Sequence, residues 1–242
     1  LPAVALVGVP LLLVLLPQVF GGPDAEMGEL QAAIESMPAS VRADLAGYNA
    51  VQQSIVLMTV YFLAPAYLLV PAMISSVIAA DSFAGEKERR TLEPLLYTPL
   101  TDGELLLGKL LAAWVPAVAV GLGSLLVESV VVNLAAWPIM GRAFFPTPMW
   151  IVLAVWVAPA VAGVGLCAMV MVSARVRGFQ EASQLGGLVV LPVVLLLVGQ
   201  TLGVMYLGLE LAVALGLALW VVVALLLWLA RHTFRRTELI AR

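Results

Sequence analysis

The sequence predicts an all-α membrane protein: a single domain over residues 1–242, with six transmembrane helices and a short cytoplasmic helix between the second and third. Three observations predict it. Hydrophobic residues make up 63% of the chain and charged residues 11%, against about 25% charged in an average soluble domain. The charges gather in short stretches, and the uncharged runs between them reach the roughly 20 residues that cross about 30 Å of hydrocarbon. Basic residues are strongly one-sided: Lys87, Arg89, Arg90, Lys109, Arg175, Arg177, Arg231, Arg235, Arg236 and Arg242 share one side of a six-span arrangement. Only Arg42 and Arg142 fall opposite. Basic loops stay on the cytoplasmic side, so a multi-pass protein of the cell membrane with both termini cytoplasmic is expected.

The spans are expected near residues 1–20, 55–80, 110–132, 150–172, 185–209 and 211–230, with Glu128 the one ionisable residue inside them. Residues 1–20 compete with a cleaved signal peptide, but 20 apolar residues exceed the usual hydrophobic region of about 7 to 15 and no basic flank precedes them. The chain starts without Met, so a preceding segment is expected. The first outer connection carries Asp24, Glu26, Glu29, Glu35 and Asp44. Within it, Met27, Leu30, Ile34 and Met37 recur at helical spacing before Pro38. Pro65, Pro71, Pro116, Pro159 and Pro192 each remove a backbone donor from a span and invite a kink. The last two spans meet at Glu210 in a tight hairpin.

The loop at residues 81–104 holds the densest pattern. Glu86, Lys87, Glu88, Arg89 and Arg90 form a mixed-charge cluster that must face water or a protein. Thr91 offers an N-cap, and Leu92, Leu95, Leu96 and Pro99 follow at i, i+3, i+4 and i+7, the pattern of a two-turn amphipathic helix. Thr101 and Glu104 then stand at capping-box spacing before the third span.

These residues resemble the permease subunits of type-two ATP-binding-cassette transporters, mostly exporters. The run from Gly85 to Leu100, followed by Glu104-Leu-Leu-Leu-Gly-Lys109, is similar to the family's coupling segment, and Arg177, Glu181, Ala182 and Gln184 are similar to its lead-in to the fifth helix. Arg90 stands where the family pattern has Gly, and the family's N-terminal interfacial helix is missing. The resemblance implies that a separate ATPase subunit, which carries ATP and magnesium, receives the short helix in a cleft. It also implies a second permease copy, identical or not, against which this one rocks in lipid. In that scheme residues Glu86, Lys87, Glu88, Arg89, Arg90, Thr91, Leu92, Glu93, Leu95 and Leu96 couple the two proteins: the charges dock and the leucines anchor.

No chemistry of its own is expected of the chain. Gly103-Glu-Leu-Leu-Leu-Gly-Lys109 fits the start of a phosphate-binding loop, but Leu110 replaces the magnesium-binding hydroxyl, and no strand precedes it. Lys109 is expected to snorkel to the cytoplasmic surface. One cysteine, Cys167, excludes an internal disulfide and a multi-cysteine metal site, and His232 has no companion ligand in sequence. A net charge of -3 offers no field for nucleic acid. Glu128, Gln200 and Thr201 are the candidates for a substrate path, although Glu128 is expected near the outer end, where outer loops or water solvate it. A self-contained channel or secondary transporter is the alternative, disfavoured because one interior ionisable group is few for ion coupling.

Overall fold

The computed structural model describes residues 8–15, 34–35, 37–89, 101–173, 179–201 and 206–233. Of Lys87, Asp102, Val189, Thr201 and residues 231–233 it describes the backbone alone. Regular structure among the described residues is entirely helical. Two short helices come first, α1 at residues 8–15 and α2 at Ala39–Leu45. Five long ones follow: α3 (Ala50–Gly85), α4 (Asp102–Met140), α5 (Pro148–Ser173), α6 (Phe179–Gln200) and α7 (Leu209–Thr233). All five are long and apolar enough to cross a membrane. They correspond to the second through sixth expected spans, while most of the first lies outside the described residues.

Helix ends run past the apolar stretches. α4 spans 39 residues rather than the expected 110–132, about 58 Å at 1.5 Å per residue and roughly twice the hydrocarbon thickness. Its start is fixed by the capping box: the Thr101 hydroxyl accepts from Glu104 N, and Glu104 Oε2 accepts from Thr101 N at 2.8 Å. Its end is fixed by Gly141, whose φ of 62° is the left-handed conformation that closes a helix and that a side chain disfavours.

Two of the five prolines expected to interrupt spans follow wider, π-type turns, Leu57–Phe62 before Pro65 and Leu153–Val157 before Pro159. At Pro65 the missing N–H would have served a carbonyl four or five residues back, Tyr61 or Val60. Both acceptors are satisfied from other helices: Trp150 Nε1 donates to Val60 O at 2.8 Å and Gln200 Nε2 to Tyr61 O at 2.6 Å. Pro116, by contrast, sits within an uninterrupted α4.

α3 and α5 form the centre, with 72% and 67% of their most apolar stretches buried, against 33%, 18% and 17% for α4, α6 and α7. Small residues bring α5 close to its neighbours. A Cβ on Gly165 would lie 2.9 Å from Ser75 Oγ on α3, and one on Gly163 would lie 3.0 Å from Val223 on α7. Fully buried Trp150 anchors one half of the core, its ring edge-on to Tyr67 and Phe145 at 5.3 and 4.7 Å. The described residues therefore form a bundle with two ends: one holds residues 81–89, residues 101–109 and the start of α6, the other α2, the α4–α5 connection and residues 206–208 before α7.

Candidate functional site

The charged residues after α3 are held by their own chain. α3 widens into a second π-type stretch at Asp81–Gly85 and continues for one turn at Glu86–Glu88. Arg89 pairs back with Asp81 across Gly85, where a Cβ would lie 2.8 Å from the Asp81 carboxylate. The glycine leaves that pair its room. Both partners are exposed, so this pair adds little stability.

Lys109 forms a second and more buried junction. Its ammonium reaches Glu86 Oε2 at 2.5 Å and Ser82 O at 2.8 Å, and lies 5.3 Å from the centre of the Phe83 ring. The side chain is 11% exposed, so it does not snorkel to the surface as the sequence suggested. The cause is local: the end of α3 offers a carboxylate, a backbone carbonyl and an aromatic face to one cation, more than water-facing extension would gain. The pair binds α3 to α4.

Glu88 makes the third tie. Its Oε2 accepts from Phe179 N at 2.9 Å, placing a carboxylate at the N-terminus of α6, where the helix dipole favours it. Beside that start, Ala182 is fully buried and Glu181 exposed. Of the ten residues expected to couple the chain to an ATPase, Glu86, Glu88 and Arg89 thus have partners within the chain. The backbone of Lys87 is helical, and Arg90, Thr91, Leu92, Glu93, Leu95 and Leu96 lie outside the described residues. Arg175 and Arg177 lie outside them too.

Charge, length and topology now converge on one class of membrane protein, and comparison with known families decides it. A family model for ABC-2 family transporter protein matches residues 5–233. The chain belongs to this family. No curated protein and no solved structure matches it. An ABC-2 family transporter protein is a transport component of the membrane and not itself catalytic, and membership implies association with an ABC ATPase subunit.

Inside this ABC-2 protein the three substrate-path candidates are not alike. Glu128 is 4% exposed, and its Oε2 has no hydrogen-bond partner among the described residues. α4 continues for 12 residues beyond it, about 18 Å, and protein rather than water encloses the carboxylate. Tyr67 is an electrostatic neighbour of this carboxylate, but the phenol donates to Gly121 O at 2.7 Å. Gln200 is 2% exposed, with its amide nitrogen committed to Tyr61 O. Its Oε1 is buried without a partner among the described residues. Thr201 ends the helix after it, described by backbone alone. Glu128 and Gln200 therefore each present to the interior one oxygen without a partner among the described residues, a costly arrangement in an apolar medium where it stays unpaired.

No group of three or more His, Cys, Asp or Glu side chains among the described residues could hold a metal. Sequence reasoning named Lys109 and Glu86 but not their pairing, and Gln200 but not its role beside Pro65. The second had a readable signal: a proline inside a span leaves a carbonyl that needs a donor, and Gln200 is a polar donor inside another span.

Proposed function

We propose that this chain is the permease subunit of an ABC exporter in the cell membrane, driven by ATP hydrolysis on a separate ATPase that docks at the end carrying residues 81–109. The observation that carries it is the set of ties at that end. Lys109 links α4 to Glu86 and Ser82, and Glu88 links the same turn to α6, so displacement of this turn is shared by three membrane helices. A force applied to residues 90–100 enters next to that junction. The charges then transmit motion within the chain, while Leu92, Leu95 and Leu96 meet the ATPase. ATP and magnesium stay on the partner, and a sixth span, both termini in the cytoplasm and a second permease copy complete the assembly.

Affinity purification of the full chain in detergent, with identification of bound subunits, tests this. An ABC ATPase is expected to co-purify, and to be lost in Leu92→Asp/Leu96→Asp at unchanged membrane content. Recovery of the chain alone, or an unchanged ATPase yield from that variant, overturns it. Exporter direction is tested separately by ATP-dependent cargo uptake into inverted vesicles.

A further inference from the structure

The opposite end of the bundle contains a cavity of about 500 Å³, in the size range of small-molecule sites. α2, the start of α3, the α4–α5 connection and the α6–α7 connection wall it. Its charged lining residues are Asp44 and Glu210, both acidic and both exposed, while the rings of Tyr48, Tyr61, Tyr206 and Phe144 supply aromatic surface. We infer that this cavity binds an organic cation, an ammonium group carried on an apolar body.

Three observations support that ligand class. The Tyr61 hydroxyl donates to Asp44 Oδ2 at 2.8 Å, which fixes the carboxylate at the cavity wall and leaves its other oxygen for a ligand. Tyr48 is engaged by the Arg142 guanidinium, 5.1 Å from its ring centre, so the aromatic surface for a ligand is that of Tyr61, Phe144 and Tyr206. Among the described residues this end also carries an acidic excess, Glu35, Asp44 and Glu210 against Arg42 and Arg142. Such a field concentrates cations at the mouth. A metal ion is a poorer fit, because hard cations take six or more oxygens and two carboxylates with four aromatic rings do not supply them.

The walls are held in place independently of any ligand. Asn133 accepts from Phe144 N at 3.0 Å and donates to Phe145 O at 2.5 Å, which clamps the α4–α5 connection to α4. Gln52 closes a capping box with Asn49 and donates to Ile139 O at 2.9 Å, which ties the start of α3 to the end of α4. The ammonium could come from a lipid headgroup or from a soluble amine, and the cavity chemistry is common to both.

The test uses the full chain, purified with its bound subunits and placed in nanodiscs. Benzylammonium and its neutral counterpart benzyl alcohol are titrated into phosphatidylglycerol nanodiscs. Saturable binding of benzylammonium alone is expected, about tenfold weaker in Asp44→Asn/Glu210→Gln, with a smaller loss in Tyr61→Phe, which keeps the charge but frees the carboxylate. Unchanged thermal melting of these variants separates lost binding from lost folding. In phosphatidylethanolamine nanodiscs, retention of that lipid in native mass spectra, and its displacement by benzylammonium, identifies a headgroup as occupant. Binding of benzylammonium indifferent to that lipid identifies a soluble amine. Equal affinity for the neutral probe, or equal binding of benzylammonium by the double variant, overturns the site.

Discussion

Gln200 shows how one side chain repairs a defect on another helix. Pro65 deprives the Tyr61 carbonyl of its backbone donor, and the Gln200 amide replaces it from 139 residues away. Gln200→Leu should therefore leave a buried acceptor unpaired, at a cost of about 1–3 kcal/mol. The cause can be isolated, because Pro65→Ala restores a backbone N–H to the same turn. A double-mutant cycle on unfolding in detergent should give strong coupling, with Gln200→Leu nearly harmless in the Pro65→Ala background. Additive losses would instead assign Gln200 to the interior path, through its free Oε1. Lys109 poses a parallel question at the other end. Lys109→Glu should impair coupling of ATP hydrolysis to transport, and Glu86→Lys/Lys109→Glu should recover it, since the pair can re-form with its signs exchanged. If Glu86 acted by touching the ATPase, the exchanged pair would stay uncoupled.

Helices here are set by different rules at their ends and along their flanks. Caps are local, so the start of α4 was readable from Thr101 and Glu104, three residues apart. The positions of five long helices were readable from apolar runs for the same reason. Their lengths were not, because hydropathy marks the part that suits lipid, while α4 continues through polar ends to Gly141. Pairings across the bundle were also hidden: Lys109 with Glu86 and Asp44 with Tyr61 depend on which faces meet, and spacing within one helix does not encode that. Close helix contacts depend on such faces too. A Cβ on Gly216 of α7 would lie 2.2 Å from the Trp156 ring of α5, whose backbone carbonyl accepts from Trp220 Nε1 at 3.2 Å. Gly216→Ala should force the α5–α7 contact apart and cost about 1–3 kcal/mol. Thermal unfolding against Gly123→Ala, where a Cβ meets nothing within 4 Å, is the comparison that checks it.

Across the whole molecule, charge and burial divide along different axes. Burial divides the bundle by depth from its centre: α3 and α5 are enclosed, while α4, α6 and α7 leave long apolar faces exposed. Charge divides it end from end, with Lys109, Glu86 and Glu88 in a tied junction at one end and Asp44 and Glu210 beside a cavity at the other. The one-sided Lys and Arg of the sequence predict a cytoplasmic first end, because moving them across the membrane during insertion is the costly alternative. Single cysteines can read this arrangement directly. Native Cys167 is 2% exposed within α5, so a membrane-impermeant maleimide should leave it unmodified. Ser40 on α2 and Gly103 at the start of α4 are exposed, and nothing lies within 4 Å of where the Gly103 Cβ would be. Ser40→Cys should label on intact cells, and Gly103→Cys only after the membrane is opened. The reverse result would turn the protein over and remove the ATPase from the junction at Lys109. Labelling of both from one side would contradict a bundle whose two ends face different compartments.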